Sequence, residues 1–140
     1  MKNTFGKWNI GIGFSVMAAF MVYGFILVYL RDFAPGKEEW IASYATGKHF
    51  EARLAHVHGN LFSLLNIVFG FIMAKLTLKQ SLVKWASWLA LGGLLMPLGI
   101  LGEVYLSLPF YFVLIGGLSM FMSTVLLAMA IFQMNTTKEN

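Results

Sequence analysis

Cysteine is absent from the 140-residue sequence, which excludes disulfides, thiolate metal sites and cysteine nucleophiles. The absence says little about redox compartment. Charge is nearly as scarce, at 11% of residues against 59% hydrophobic, where soluble domains carry about 25% charged residues. With a mean hydropathy of +0.74, a water-soluble fold of this size could not hide its apolar surface. The net charge of +4 is spread over connections and ends. Membrane topology accounts for that pattern more simply than nucleic acid, which is not an expected partner. No internal repeat or low-complexity tract stands out.

What the sequence does have is length of apolar run. Four stretches, 10–30, 54–74, 82–104 and 109–132, each reach the roughly 20 residues that cross a hydrocarbon core of about 30 Å. Only short connections remain. The expected architecture is therefore all-α, a single integral membrane domain with a four-transmembrane-helix bundle. Lys2 and Lys7 precede the first run, but that run is too long for a signal peptide and ends at Arg31-Asp32 without a small-residue cleavage pattern, so a retained helix is expected. Lys2, Lys7, Lys75, Lys79, Lys84 and Lys138 fall on one side of such a bundle, and Arg31, Lys37, Lys48 and Arg53 on the other. That excess puts both termini on the cytoplasmic side, as in a bacterial inner (plasma) membrane.

The longest connection, 32–48, holds Pro35-Gly36 and Gly47 as turn signals. Its Trp40 and Tyr44 suit an amphipathic piece at headgroup level, able to cover a site. Pro97 lies inside the third run and predicts a kink there. Pro109 suits a first helical position, so the third and fourth helices form a tight hairpin. Gly92-Gly93, Gly99, Gly102, Gly116-Gly117, Ser119 and Ser123 mark faces where helix backbones come close, within one subunit or between subunits.

The chemistry-bearing residues begin at Ala55-His56-Val57-His58-Gly59-Asn60, inside the second run. An ionisable ring at membrane depth is costly and usually binds or moves something. At about 100° per residue, His56, Asn60 and Ser63 share one helix face, with His49 and Arg53 on or near the same stripe. His58 points about 200° away, and Asn66 lies roughly 80° round from it, so those two mark a second face. Three uses of the histidines stand open: structural imidazoles hydrogen-bonded to neighbouring helices, metal or haem ligands, and a proton or ion relay that includes Glu103. Imidazole is a common axial group for haem iron, and Arg53, with help from Lys48, is placed to reach a propionate. A zinc site lacks a third ligand at helical spacing, and no acid is placed to orient a Ser-His-Asp triad. Near the end of the third helix, antiparallel packing brings Glu103 and Tyr105 toward the histidines. A phenol there could donate to a substrate oxygen, though an interfacial anchor is its commoner use.

Ala52-Arg53-Leu54-Ala55-His56 leads into the second helix after a long polar connection, and Gly102-Glu103-Val104-Tyr105-Leu106 ends the third. In these segments, in length and in helix order, the chain resembles the styrene oxide isomerases, small four-helix membrane enzymes. The resemblance covers the middle half of the chain loosely. It implies haem b bound between the subunits of a homotrimer, with ferric iron as a Lewis acid that opens an epoxide and yields an aldehyde from a small apolar substrate. Carried over, His56 is the axial ligand, with His58 the alternative, and Tyr105 orients the substrate. The position of the family's helix-two asparagine falls on Phe62, which leaves Asn60 or Asn66 to stand in for it. The other function classes are a small membrane transport or electron-transfer protein using the same histidines, and a cofactor-free accessory subunit.

Overall fold

The computed structural model describes residues 4–134, and among them every regular element is α-helix. Six helices follow in order: α1 (Thr4–Asp32), α2 (Lys37–Ala42), α3 (Gly47–Lys75), α4 (Gln80–Gly93), α5 (Leu95–Leu106) and α6 (Tyr111–Phe132). Four stretches are long and apolar enough to cross a membrane: Thr4–Asp32, Gly47–Lys75, Gln80–Leu106 and Tyr111–Phe132. The four expected spans are present; the first three run longer than expected at both ends, and the fourth starts two residues later. A run of apolar residues marks only the part of a helix that lies in hydrocarbon. The helix continues wherever packing or turn chemistry carries it. Among the described residues α1 runs from Thr4, six residues ahead of the expected start, because Gly6 and Asn9 are already buried against neighbours. α3 begins at Gly47, whose φ of 66° starts the helix from a left-handed turn.

The third span is broken as Pro97 requires. Proline has no N–H to give to the carbonyl of Gly93, and α4 stops at Gly93 while α5 restarts at Leu95. Pro109 corrects the expectation placed on it. α6 starts at Tyr111, and Pro109 lies in the turn before it. That turn is set by Ser107, left-handed at φ 54°, with the N–H groups of Ser107 and Leu108 both donating to the Gly102 carbonyl.

The helices pack as two pairs, α1 with α3 and α4–α5 with α6, joined through α3. Small residues set both seams. A Cβ on Gly6 would stand 2.5 Å from the Gly70 carbonyl, so α1 and α3 approach at backbone distance there. In the second pair, the Ser123 hydroxyl donates to the Ala86 carbonyl at 2.7 Å, and Gly93, Gly99 and Gly116 lie against α6 or α5. The glycine- and serine-rich faces of the third and fourth spans thus serve packing within one chain. Phe25, Leu118, Phe121 and Phe132 remain among the exposed large side chains, which fits helices whose outer faces meet lipid.

Candidate functional site

At the end of the bundle that carries the 32–48 connection, α3 presents its histidines one at a time. His49, on the first turn, is buried. Its ring stacks on Trp40 at 4.5 Å, its Nδ1 donates to the Trp40 carbonyl at 2.8 Å, and Tyr44 meets it edge-on. The Arg53 guanidinium lies 3.8 Å above the Tyr44 ring and donates to the Tyr44 carbonyl at 3.3 Å. α2 and the loop after it therefore close as an aromatic cap over the start of α3. The cap covers His49 and engages Arg53.

One turn deeper, His56 faces α1. Its Nδ1 lies 2.9 Å from the Phe20 carbonyl, and a carbonyl can only accept, so Nδ1 carries the proton. In a neutral ring, Nε2 is then an unprotonated acceptor. Asn60 Nδ2, also 3.4 Å from Nδ1, donates instead to the His56 backbone carbonyl at 2.9 Å. Gly24 of α1 makes the room, since a Cβ there would stand 2.6 Å from His56 Cε1 and 3.3 Å from Nε2. Around the ring opens a groove of about 580 Å³, lined by Met21, Gly24, Phe25, Val28, His56, Val57 and Asn60. Its size falls in the range of small-molecule sites, and its walls are apolar apart from one imidazole and one carboxamide.

Tyr105 reaches this region through an intermediary. Its hydroxyl lies 3.0 Å from that of Tyr23 on α1, and the Tyr23 ring centroid is 6.4 Å from that of His56. The ends of α3 and α5 are brought together as expected, through Ala55, Ile100 and Val104. Glu103 is exposed and makes no hydrogen bond or ion pair among the described residues. Tyr23, beside the His56 ring, and the groove-lining Gly24 are residues that the sequence did not single out. Nothing in the apolar pattern of α1 marks them.

The remaining sequence candidates lie elsewhere. His58 turns from the groove, donates from Nδ1 to the Leu54 carbonyl at 2.9 Å and meets Phe62 edge-on. Ser63, third on the His56 stripe, is buried where α3 meets α1. Asn66 does not line a second face with His58. It is fully buried in a network with Asn9 and Ser87, where Asn9 Nδ2 donates to Asn66 Oδ1 at 2.9 Å, Asn66 Nδ2 donates to the Ala90 and Phe62 carbonyls at 2.9 and 3.0 Å, and the Ser87 hydroxyl donates to Asn9 Oδ1. Of the predicted residues, the structure gathers His56 and Asn60 in the groove with Tyr105 beside it, and leaves His58, Arg53 and Asn66 outside. Among the described residues no three His, Cys, Asp or Glu side chains come together, so a bare ion has no ligand cluster of the zinc kind.

No protein-family model, curated protein or solved structure matches the chain.

Proposed function

We propose that the chain is a haem b-binding membrane protein with His56 as axial ligand, and that its reaction is the isomerisation of an epoxide to a carbonyl compound. One observation carries the ligand assignment. A metal-binding histidine nearly always donates its other ring N–H to a carbonyl or carboxylate, which fixes the tautomer and raises the basicity of the coordinating nitrogen. His56 Nδ1 makes that bond to the Phe20 carbonyl of a different helix, and the ring opens on a groove whose other walls suit a porphyrin face. His58 has a comparable Nδ1 bond, but to its own helix, and it does not line the groove.

Bound there, an iron porphyrin supplies a Lewis acid for an oxygen-containing substrate. The protein's part is to hold and orient. Gly24 leaves the imidazole its place, and Phe20 fixes its angle. Met21, Phe25, Val28 and Val57 exclude water. Asn60 lines the groove with its amide donating to the His56 carbonyl. In the Tyr23–Tyr105 pair one hydroxyl donates to the other, which leaves the second proton free for a substrate oxygen. The groove is open to the bilayer side of α1 and α3, and a second copy of the chain is the proposed cover, as in the trimers of the resembling family. Haem-bound subunits would lie in a bacterial inner membrane with the lysine-rich end inside.

The test is the full chain purified in detergent from a haem-replete host. A Soret band, a shift on reduction and addition of carbon monoxide, and conversion of an aryl epoxide to the aldehyde are the expected results. Colourless protein would remove the haem assignment. Haem without epoxide turnover would remove the reaction and leave the ligand.

A further inference from the structure

A second groove lies at the opposite end of the bundle and belongs to different chemistry. α1 and α4 run side by side there, tied beneath the surface by Asn9, whose amide donates to the Ser87 carbonyl at 3.2 Å. Above that tie the helices part and leave a groove of about 450 Å³ whose surface is almost wholly apolar, lined by Phe5, Trp8, Ile12, Ser87, Trp88 and Leu91. Two hydroxyl side chains line it, Thr4 and Ser87, and Ser87 is already spent on Asn9. Trp8 and Trp88 stand at its sides with 61% and 59% of their surface exposed.

Among the described residues, charge at this end is of one sign. Lys7 lies near the start of α1, Lys75 at the end of α3, Lys79 just before α4 and Lys84 on its second turn. The carboxylates of the described residues, Asp32, Glu38, Glu39, Glu51 and Glu103, all belong to the end of α1, the α2 connection, the start of α3 and the end of α5, at the other side of the bundle. Lys84 precedes Trp88 by one helical turn and so shares its face, and Lys7 follows Thr4, another lining residue, by three. An apolar slot flanked by indoles, with lysines that make no ion pair among the described residues within a turn of its lining side chains, matches one occupant: an acyl chain whose headgroup is an anion at the membrane surface. We propose that the α1/α4 groove is a binding site for an anionic phospholipid, with one acyl chain between Trp8 and Trp88 and the phosphate held by Lys7 and Lys84.

Fluorescence quenching tests this on the full chain in phosphatidylcholine nanodiscs. A Trp40→Phe/Trp85→Phe protein keeps only the two groove indoles. A second protein keeps only Trp85, which is at the same membrane end, 61% exposed and outside the groove. Each is titrated with phosphatidylglycerol carrying a brominated acyl chain, and separately with phosphatidylcholine carrying the same chain. The groove indoles should be quenched at much lower mole fractions of phosphatidylglycerol than of phosphatidylcholine. That preference should fall roughly fivefold for each lysine removed in Lys7→Gln and Lys84→Gln. Trp85 alone should show no such headgroup preference, and Lys48→Gln at the far end should leave the groove curves unchanged. These are surface substitutions, and unchanged helical circular dichroism confirms folding. Equal quenching by the two lipids, the same preference at Trp85, or a preference that survives loss of both lysines would overturn the proposal and leave only the lipid annulus.

Discussion

The two halves of α1 each set polar groups against α3, and they differ in whether hydrogen-bonding capacity is used up. Toward its start, Asn9 meets Asn66 and Ser87 in a network in which the donors and acceptors of both carboxamides find partners across three helices. Toward its end, the Phe20 carbonyl takes one nitrogen of His56 and leaves the other free at a groove wall. A saturated network is scaffold, because nothing remains with which to bind a ligand. A fixed ring with one unpaired nitrogen beside a groove keeps a position for a ligand. Polarity within a span does not separate the two; partner count together with an adjoining groove does.

Substitutions at each region sharpen the contrast. The largest effect is expected from His56→Ala, which should abolish the haem absorbance, whereas His58→Ala should leave it nearly intact; haem per protein in purified samples decides this. Next, Tyr23→Phe/Tyr105→Phe should lower kcat for epoxide isomerisation by about 10²-fold with haem content unchanged, the lower end of what a positioned proton donor contributes. A smaller loss should follow Gly24→Ala, since the added methyl meets the imidazole. Haem affinity should drop several-fold, on the order of the tenfold minimum seen when a ligand's supporting shell is disturbed. At the other region, Asn66→Leu should cost about 1–3 kcal/mol of stability, because the buried Asn9 amide loses its Asn66 acceptor and the Ala90 carbonyl loses the Asn66 donor. The Soret band of the folded fraction should not move. A haem-poor but stable Asn66→Leu protein would break the distinction between the two regions.

Much of the architecture could be read from residue order alone. Four apolar runs gave four spans, and Pro97 marked the break between α4 and α5. Spacing of i, i+4 placed His56 and Asn60 on one face, and both line the groove. The α1 side of the site was not legible. α1 is apolar nearly all round, so its pattern does not say which face meets α3, and Phe20, Tyr23 and Gly24 look like any other mid-span residues. Asn66 was equally opaque, because a helical wheel gives direction and not partners. Asn66 meets Asn9, a residue 57 positions away, and only the packed helices reveal that its amide is taken. Arg53 was set toward a propionate by its depth, yet Tyr44 from the cap engages its guanidinium. That cap depends on a left-handed glycine turn that brings the aromatic loop back over α3.

The central claim is that His56 Nε2, freed by the bond from Nδ1 to Phe20, holds iron. The most direct measurement is the visible spectrum of purified His56→Ala protein with and without added imidazole. The account predicts a colourless or weakly coloured variant in which imidazole, entering the space left by the side chain, restores the ferric haem spectrum of the parent. A variant that keeps the parent spectrum without imidazole would contradict it.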